Sequence, residues 1–247
     1  MKKRRWFSLF LSFALLLPLF SLTSADAYED FDLDAKAGLL IEADTGEILY
    51  EKNAHQENFP ASLTKVMVAL LVFEAIDEGK IALTDSVTAT ESAFEGLSSD
   101  GSTANIVPGE TMTVEQLLNC MLIVSANEAC NILGETLYGS VDAFVARMNE
   151  RATELGCEHT HFANATGLHN SQHYTTAWDL YLITREAMKH DKFMEICNSK
   201  SYTVPATNMT DKPRELHSTN FLISNWRARG YVYRDAQGIK TGSTPDT

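Results

Sequence analysis

Positive charge is what this 247-residue chain most lacks, with 20 Lys and Arg against 33 Asp and Glu and a formal net charge of −13. The deficit argues against nucleic acid as a partner, since no basic face can neutralise phosphates. An anionic substrate would have to be held by a few well-placed lysines. Cysteine is scarce: Cys120, Cys130, Cys157 and Cys197 are too few to frame a disulfide scaffold in a chain of this size. Cys120 and Cys130 stand about 15 Å apart on a continuous helix, beyond bridging reach unless the chain folds back, so buried free thiols are expected. No CxxC or Cys/His spacing suited to a metal occurs. Repeats and low-complexity linkers are missing too, which leaves no sign of a split into domains.

A bilayer-spanning run is also missing. The apolar stretch from Trp6 to Leu22 contains Pro18 and falls short of the roughly 20 residues that a spanning helix needs. Lys2, Lys3, Arg4 and Arg5 precede it and Ala25-Asp26-Ala27 follows it, the order of a secretory signal peptide cut after Ala27. Residues 1–27 are therefore expected to direct export. Residues 28–247 remain, enough for a sizeable core and more acidic than the whole.

Along that remainder, Leu39 to Ala43 and Glu47 to Tyr50 predict a hairpin about Asp44-Thr45-Gly46. After Pro60 an apolar stretch runs through Ile76, and Val66 to Phe73 occupy every face of it, which predicts a helix buried on all sides. Thr84 to about Gly167 reads as helices with short loops. Thr113 with Gln116 forms a capping box, Ser140 precedes a helix ended by Gly156, and Thr176 with Asp179 starts another. Beyond Asp191, "SYTVPAT" and "GYVYRDAQGIKTG" read as strands. The expected class is α+β: an antiparallel sheet shared by the first hairpin and the last strands, flanked by helices, with a helical subdomain at about 84–170 inserted between them.

"PASLTKVMVALLVF" places Ser62 and Lys65 one turn apart at the start of the apolar helix. An N-cap serine and a solvated lysine would be unremarkable, but a lysine entering a fully apolar helix is partly buried. Burial and the helix N-terminus both lower its pKa, and a neutral amine beside a hydroxyl is a general base beside a nucleophile. Two more short motifs follow: Ser125-Ala126-Asn127, interrupting an apolar helical stretch, and Lys240-Thr241-Gly242 on the last strand-like run. Ser218-Thr219-Asn220 also fits Ser-x-Asn and stays as a lesser alternative to Ser125. His159, His161, His169 and His173 cluster in sequence without an HExxH-type arrangement, so neither metal nor cofactor is expected.

The ordered set SxxK, SxN, KTG resembles the serine penicillin-recognising enzymes. "PASLTKVMVALLVFEA", "SANEAC", "THFANATGLHNSQHYTTAWDL" and "GIKTGST" are similar, more closely, to the exported D-alanyl-D-alanine carboxypeptidases, the low-molecular-mass penicillin-binding proteins. The likeness runs from about Gly38 to Thr247. It implies Ser62 as acylated nucleophile, Lys65 as its base, and Ser125 as the group passing a proton to the leaving D-alanine. Asn127 would hold the substrate amide, Lys240, Thr241 and Gly242 would bind the terminal carboxylate, and the backbone N–H groups of Ser62 and Ser243 would hold the oxyanion. The implied partners are stem peptides ending in D-Ala-D-Ala and β-lactams, at the bacterial cell envelope; water or an amine could release the acyl group. Class A β-lactamases carry a Glu-x-x-Leu-Asn phrase after SxN, whereas "EQLLN" at Glu115 to Asn119 precedes Ser125 and is expected to be structural. The competing reading is a non-catalytic penicillin sensor or trap. Because the family continues past KTG, often to a membrane-anchoring tail, the chain is expected to be a fragment of an enzyme, inactive by itself.

Overall fold

A computed structural model of the chain describes residues 33–243; the expected signal peptide lies outside them. The chain divides into Met1–Ala35, of which only residues 33–35 are described, and a second compact unit, Lys36–Thr247, which carries all three motifs.

The second unit opens with β1 (Gly38–Ile41) and β2 (Ile48–Lys52), an antiparallel pair. A 3₁₀ turn at Ala61–Thr64 leads into α1 (Lys65–Asp77). Then come β3 (Ser86–Thr88), β4 (Thr111–Thr113), α2 (Val114–Ile123), α3 (Asn127–Tyr138) and α4 (Val141–Glu154). α5 (Ala177–Ala187), α6 (Asp191–Cys197), β5 (Ser201–Val204) and β6 (Arg214–His217) complete the order.

α1 behaves as its composition requires. Every residue from Lys65 to Phe73 is buried, and α2, α3, α4 and α5 all pack against it. Each large apolar side chain so buried stabilises the fold by about 1.5–3 kcal/mol, which fixes the helix start, and the two polar groups there, against the core. The expected caps form: Thr113 Oγ1 accepts from the Gln116 N–H at 3.2 Å, Ser140 Oγ from the Ala143 N–H at 3.1 Å, and Thr176 Oγ1 from the Asp179 N–H at 3.0 Å.

The α+β class holds, but the strand arrangement differs from the expected one among the described residues. Three separate two-stranded sheets form, β1–β2, β3–β4 and β5–β6, and residues 230–243 form no strand. β6, a short segment just after Pro213, is the partner of β5. A cleft of about 1180 Å³ lies between β1 and Gln237, Ile239 and Lys240. A strand exists only where a neighbour completes its ladder, and none lies beside Gly238–Ser243. The four cysteines stay free, Cys157 half-buried and the others buried. Burial pushes their thiols up to about 11 for Cys130 and about 12 for the other three.

Candidate active site

Ser62 and Lys65 meet through a change of helix type. Ser62 sits in the 3₁₀ turn and Lys65 is the first residue of α1. In a 3₁₀ turn positions i and i+3 eclipse, so the hydroxyl and the amine line up. Lys65 is fully buried. Its Nζ lies 3.0 Å from Ser62 Oγ, 2.9 Å from Asn127 Oδ1 and 2.6 Å from the Thr166 carbonyl oxygen. Burial lowers its pKa, and Cys130 and Glu128 oppose the shift without reversing it. Three acceptors suit an ammonium with three hydrogens. A neutral amine keeps two of those bonds and turns its lone pair to the Ser62 hydroxyl, so either form fits without movement of heavy atoms.

Ser125 and Asn127 come from the break between α2 and α3. The Ala126 N–H donates to the Cys120 carbonyl at 3.1 Å and the Asn127 N–H to the Ser102 carbonyl at 2.9 Å, which pins the break on both sides. Ser125 takes φ +65°, left-handed for a residue with a side chain, at a cost of about 1–3 kcal/mol. Its Oγ is buried and has no hydrogen-bond partner. An unpaired buried hydroxyl costs a further ~1–3 kcal/mol, and such unfavourable features persist where a ligand uses them.

The third motif lies against the first. A Cβ on Gly242 would stand 3.1 Å from the Pro60 carbonyl oxygen and 3.2 Å from Leu63, so the KTG segment rests on the turn that carries Ser62. Thr241 Oγ1 is 2.7 Å from Thr219 Oγ1, and Ser243 is exposed. Lys240 Nζ donates to the Thr241 carbonyl at 2.8 Å. Lys240 keeps part of its surface in water, yet burial is the first cause that lowers its pKa, to about 7, and the charge of Lys65 is the second. Repulsion between the two amines favours one shared proton over two.

This has a consequence for stability. An unfolded lysine holds its proton to about 10.5, while folded Lys240 releases it near 7. Between those values the unfolded state binds more protons, so Lys240 makes stability rise with pH, by at most about 1.4 kcal/mol per pH unit. Urea midpoints at pH 7 and 9 are expected to rise in the wild type, and to rise less in Lys240→Gln.

The other sequence candidates serve local structure. Ser218 Oγ accepts from the Asn220 N–H at 3.2 Å, and the Thr219 N–H donates to the Ile123 carbonyl at 3.2 Å, so this second Ser-x-Asn ties the KTG side of the chain to α2. Glu115 pairs with Lys192 at 2.6 Å, and the buried Asn119 Nδ2 donates back to the Glu115 carbonyl at 2.8 Å, so both serve α2 itself. Of the histidines, His159 lies 3.4 Å from Glu57, His169 packs on the edge of Phe59, His161 Nδ1 donates to the Gln172 carbonyl, and His173 is buried.

Two functional positions escaped sequence reasoning, and both lie in the loop before α5. The Thr166 carbonyl contacts Lys65, and a backbone oxygen leaves no mark in the sequence. Gly167 passes so close that a Cβ on it would stand 1.9 Å from the Ala61 carbonyl oxygen, and its φ is +85°. The "NATG" phrase carried a signal, because Asn164 Oδ1 accepts from the N–H groups of Thr166 and Gly167 in a turn that ends on a left-handed residue. Gly167→Ala is expected to cost about 3 kcal/mol. Gly79→Ala, also at positive φ but with nothing within 4 Å of the new methyl, should cost only about 1 kcal/mol. Equal urea midpoints for the two variants would contradict the contact.

The family model described as D-alanyl-D-alanine carboxypeptidase, peptidase S11, matches residues 23–247. The chain is 39% identical over 211 residues to the D-alanyl-D-alanine carboxypeptidase DacF of Bacillus subtilis (strain 168), covering 85% of this chain and 51% of that protein. It is 31% identical over 235 residues to the D-alanyl-D-alanine carboxypeptidase of Streptomyces sp. (strain K15), covering 91% and 77%. The crystal structure of the Streptomyces K15 DD-transpeptidase matches with a TM-score of 0.78 at 30% identity, over 89% of this chain and 84% of that one. The chain spans about half the length of the first curated relatives it matches.

Proposed function

Because the chain belongs to the D-alanyl-D-alanine carboxypeptidase family, we propose that it forms the Ser62 acyl-enzyme part of an exported serine peptidase that removes the terminal D-alanine from cell-wall stem peptides. The observation that carries this is the buried Lys65 amine 3.0 Å from Ser62 Oγ, with the other two Nζ contacts fixed on Asn127 and Thr166. Lys65 takes the Ser62 proton as Oγ attacks the carbonyl of the penultimate D-alanine. The tetrahedral oxyanion is held by the backbone N–H groups of Ser62 and Ser243. When the C–N bond breaks, Ser125 passes a proton to the departing amine, with Lys65 as its source. Water then attacks the ester, using Lys65 again, and frees Ser62.

Lys240 and Thr241 take the substrate's terminal carboxylate. In a protein this acidic, a single half-buried ammonium gives that end of the cleft its selectivity. A β-lactam offers the same carboxylate beside a strained amide and acylates Ser62 in the same way. Residues 1–27 act as the export signal and 28–247 form the catalytic domain, at the cell envelope. The names from strain K15 carry both carboxypeptidase and transpeptidase; hydrolysis needs only water as the acceptor, whereas transpeptidation needs an amine held beside the ester.

The test is D-alanine release from a peptide ending in D-Ala-D-Ala, together with labelling by a fluorescent penicillin, on the full-length protein. Both are expected. Labelling without release would favour the sensor or trap. The pH profile adds a check: Lys240 loses its charge above about 7 in the free protein, so kcat/KM should fall on the alkaline side of that value. In Lys240→Arg, which stays charged, the alkaline limb should move away; an unmoved limb would remove Lys240 from the carboxylate site.

A further inference from the structure

Ser62 follows a residue that should resist its own conformation. Ala61 takes φ +49°, left-handed with a Cβ, at a cost of about 1–2 kcal/mol. Something must hold it there, and the contacts that do so lead to a side chain outside the three motifs. Thr64 Oγ1 donates to the Ala61 carbonyl at 2.8 Å, closing the turn over Ser62. Thr64 is fully buried, and its hydroxyl lies 2.7 Å from His173 Nε2.

The direction of this second bond follows from a third. The Ala163 N–H donates to His173 Nδ1 at 3.0 Å, so Nδ1 is the bare nitrogen and Nε2 carries the hydrogen. Nε2–H therefore donates to Thr64 Oγ1, and the one proton of Thr64 is left for the Ala61 carbonyl. His173 is 2% exposed and packs against Phe162. Burial above all, with the charges of His161 and Lys65, lowers its pKa to about 4, which keeps the ring neutral and the relay one-directional. The same loop that starts the relay supplies the Thr166 carbonyl to Lys65, so one loop sets both the nucleophile and its base.

We propose that His173 is a positioning residue for Ser62. It fixes the Thr64 hydroxyl, which holds the Ala61 carbonyl and so the turn that presents the nucleophile. The proposal rests on Ser62 being acylated.

The two ring nitrogens can be tested apart. His173→Gln puts an N–H near the place of Nε2 and keeps donation to Thr64. His173→Asn puts an oxygen near the place of Nδ1, keeps the Ala163 bond and loses the Thr64 bond. Stopped-flow acylation by a fluorescent penicillin, normalised to the protein that labels, separates initial binding from the acylation step. His173→Asn is expected to slow the acylation step on the order of 30-fold at unchanged initial binding, and His173→Gln to recover most of the loss. Thr64→Val should match His173→Asn, and the double variant should be no slower than either. If His173→Asn does not fold, Thr64→Val against Thr64→Ser makes the comparison, with Ser close to wild type. Variants that melt earlier yet acylate at the wild-type rate would overturn the proposal, as would losses that multiply in the double variant. A wild-type protein without an adduct at Ser62 would instead overturn the acylation reading on which it rests.

Discussion

Ser62→Ala is expected to abolish penicillin labelling and to lower D-alanine release by roughly 10⁵–10⁶-fold, the scale on which removal of a serine nucleophile acts. The effect is large because nothing else near Lys65 can replace the hydroxyl. Ser125 is also buried nearby in the fold, but in the free protein its Oγ makes no hydrogen bond to the amine or to any other group, and the Lys65 amine is already paired with Ser62, so Ser125 is not activated as a nucleophile. The stability of the variant should change little, since Ser62 is only half-buried and its hydroxyl serves Lys65 alone. Intact mass after incubation with benzylpenicillin reads the outcome. A full adduct in Ser62→Ala would show that another residue is acylated.

Lys65→Met is expected to reduce acylation about 10³-fold while making the fold more stable by roughly 1–2 kcal/mol at pH 7. The opposite signs have one cause. Lys65 is completely buried among apolar side chains of α1 and its neighbours, and the burial that lowers its pKa is energy withheld from folding. Methionine fills nearly the same volume with no charge to desolvate. Against this gain stand the Asn127 and Thr166 oxygens, which lose their donor; Asn127 can turn, while the Thr166 carbonyl cannot. A variant that loses both activity and stability would mean that the three hydrogen bonds outweigh the burial of the amine.

The sequence made the candidate site legible because SxxK, SxN and KTG are local patterns, each short and each in its expected order. The buried helix and the caps at Thr113, Ser140 and Thr176 were legible for the same reason, since periodicity and capping act within a few residues. Of the strand pairing, the first hairpin was legible and forms as β1–β2; the pairing beyond it was not. β6 is four residues long and Pro213 precedes it, and the KTG segment needs a neighbour that no property of "GYVYRDAQGIKTG" supplies. The finer geometry of the site was hidden too. Left-handed φ at Ala61 and Ser125 runs against residue preference. Such strain is imposed by distant packing, here by Gly167 pressed against Ala61. The 3₁₀ turn that aligns Ser62 with Lys65 looks, in sequence, like the first turn of an α-helix.

The central claim is that burial holds the Lys65 pKa below the ordinary lysine value and so favours the amine as a base, and direct titration tests it most closely. NMR of protein with ¹³C at lysine Cε, with Lys65 assigned by loss of its signal in Lys65→Met and Lys240 by loss in Lys240→Gln, follows both amines through pH. The account requires Lys65 to titrate below the ordinary lysine value of 10.5. A Lys65 signal that titrates at 10.5 or above would contradict it.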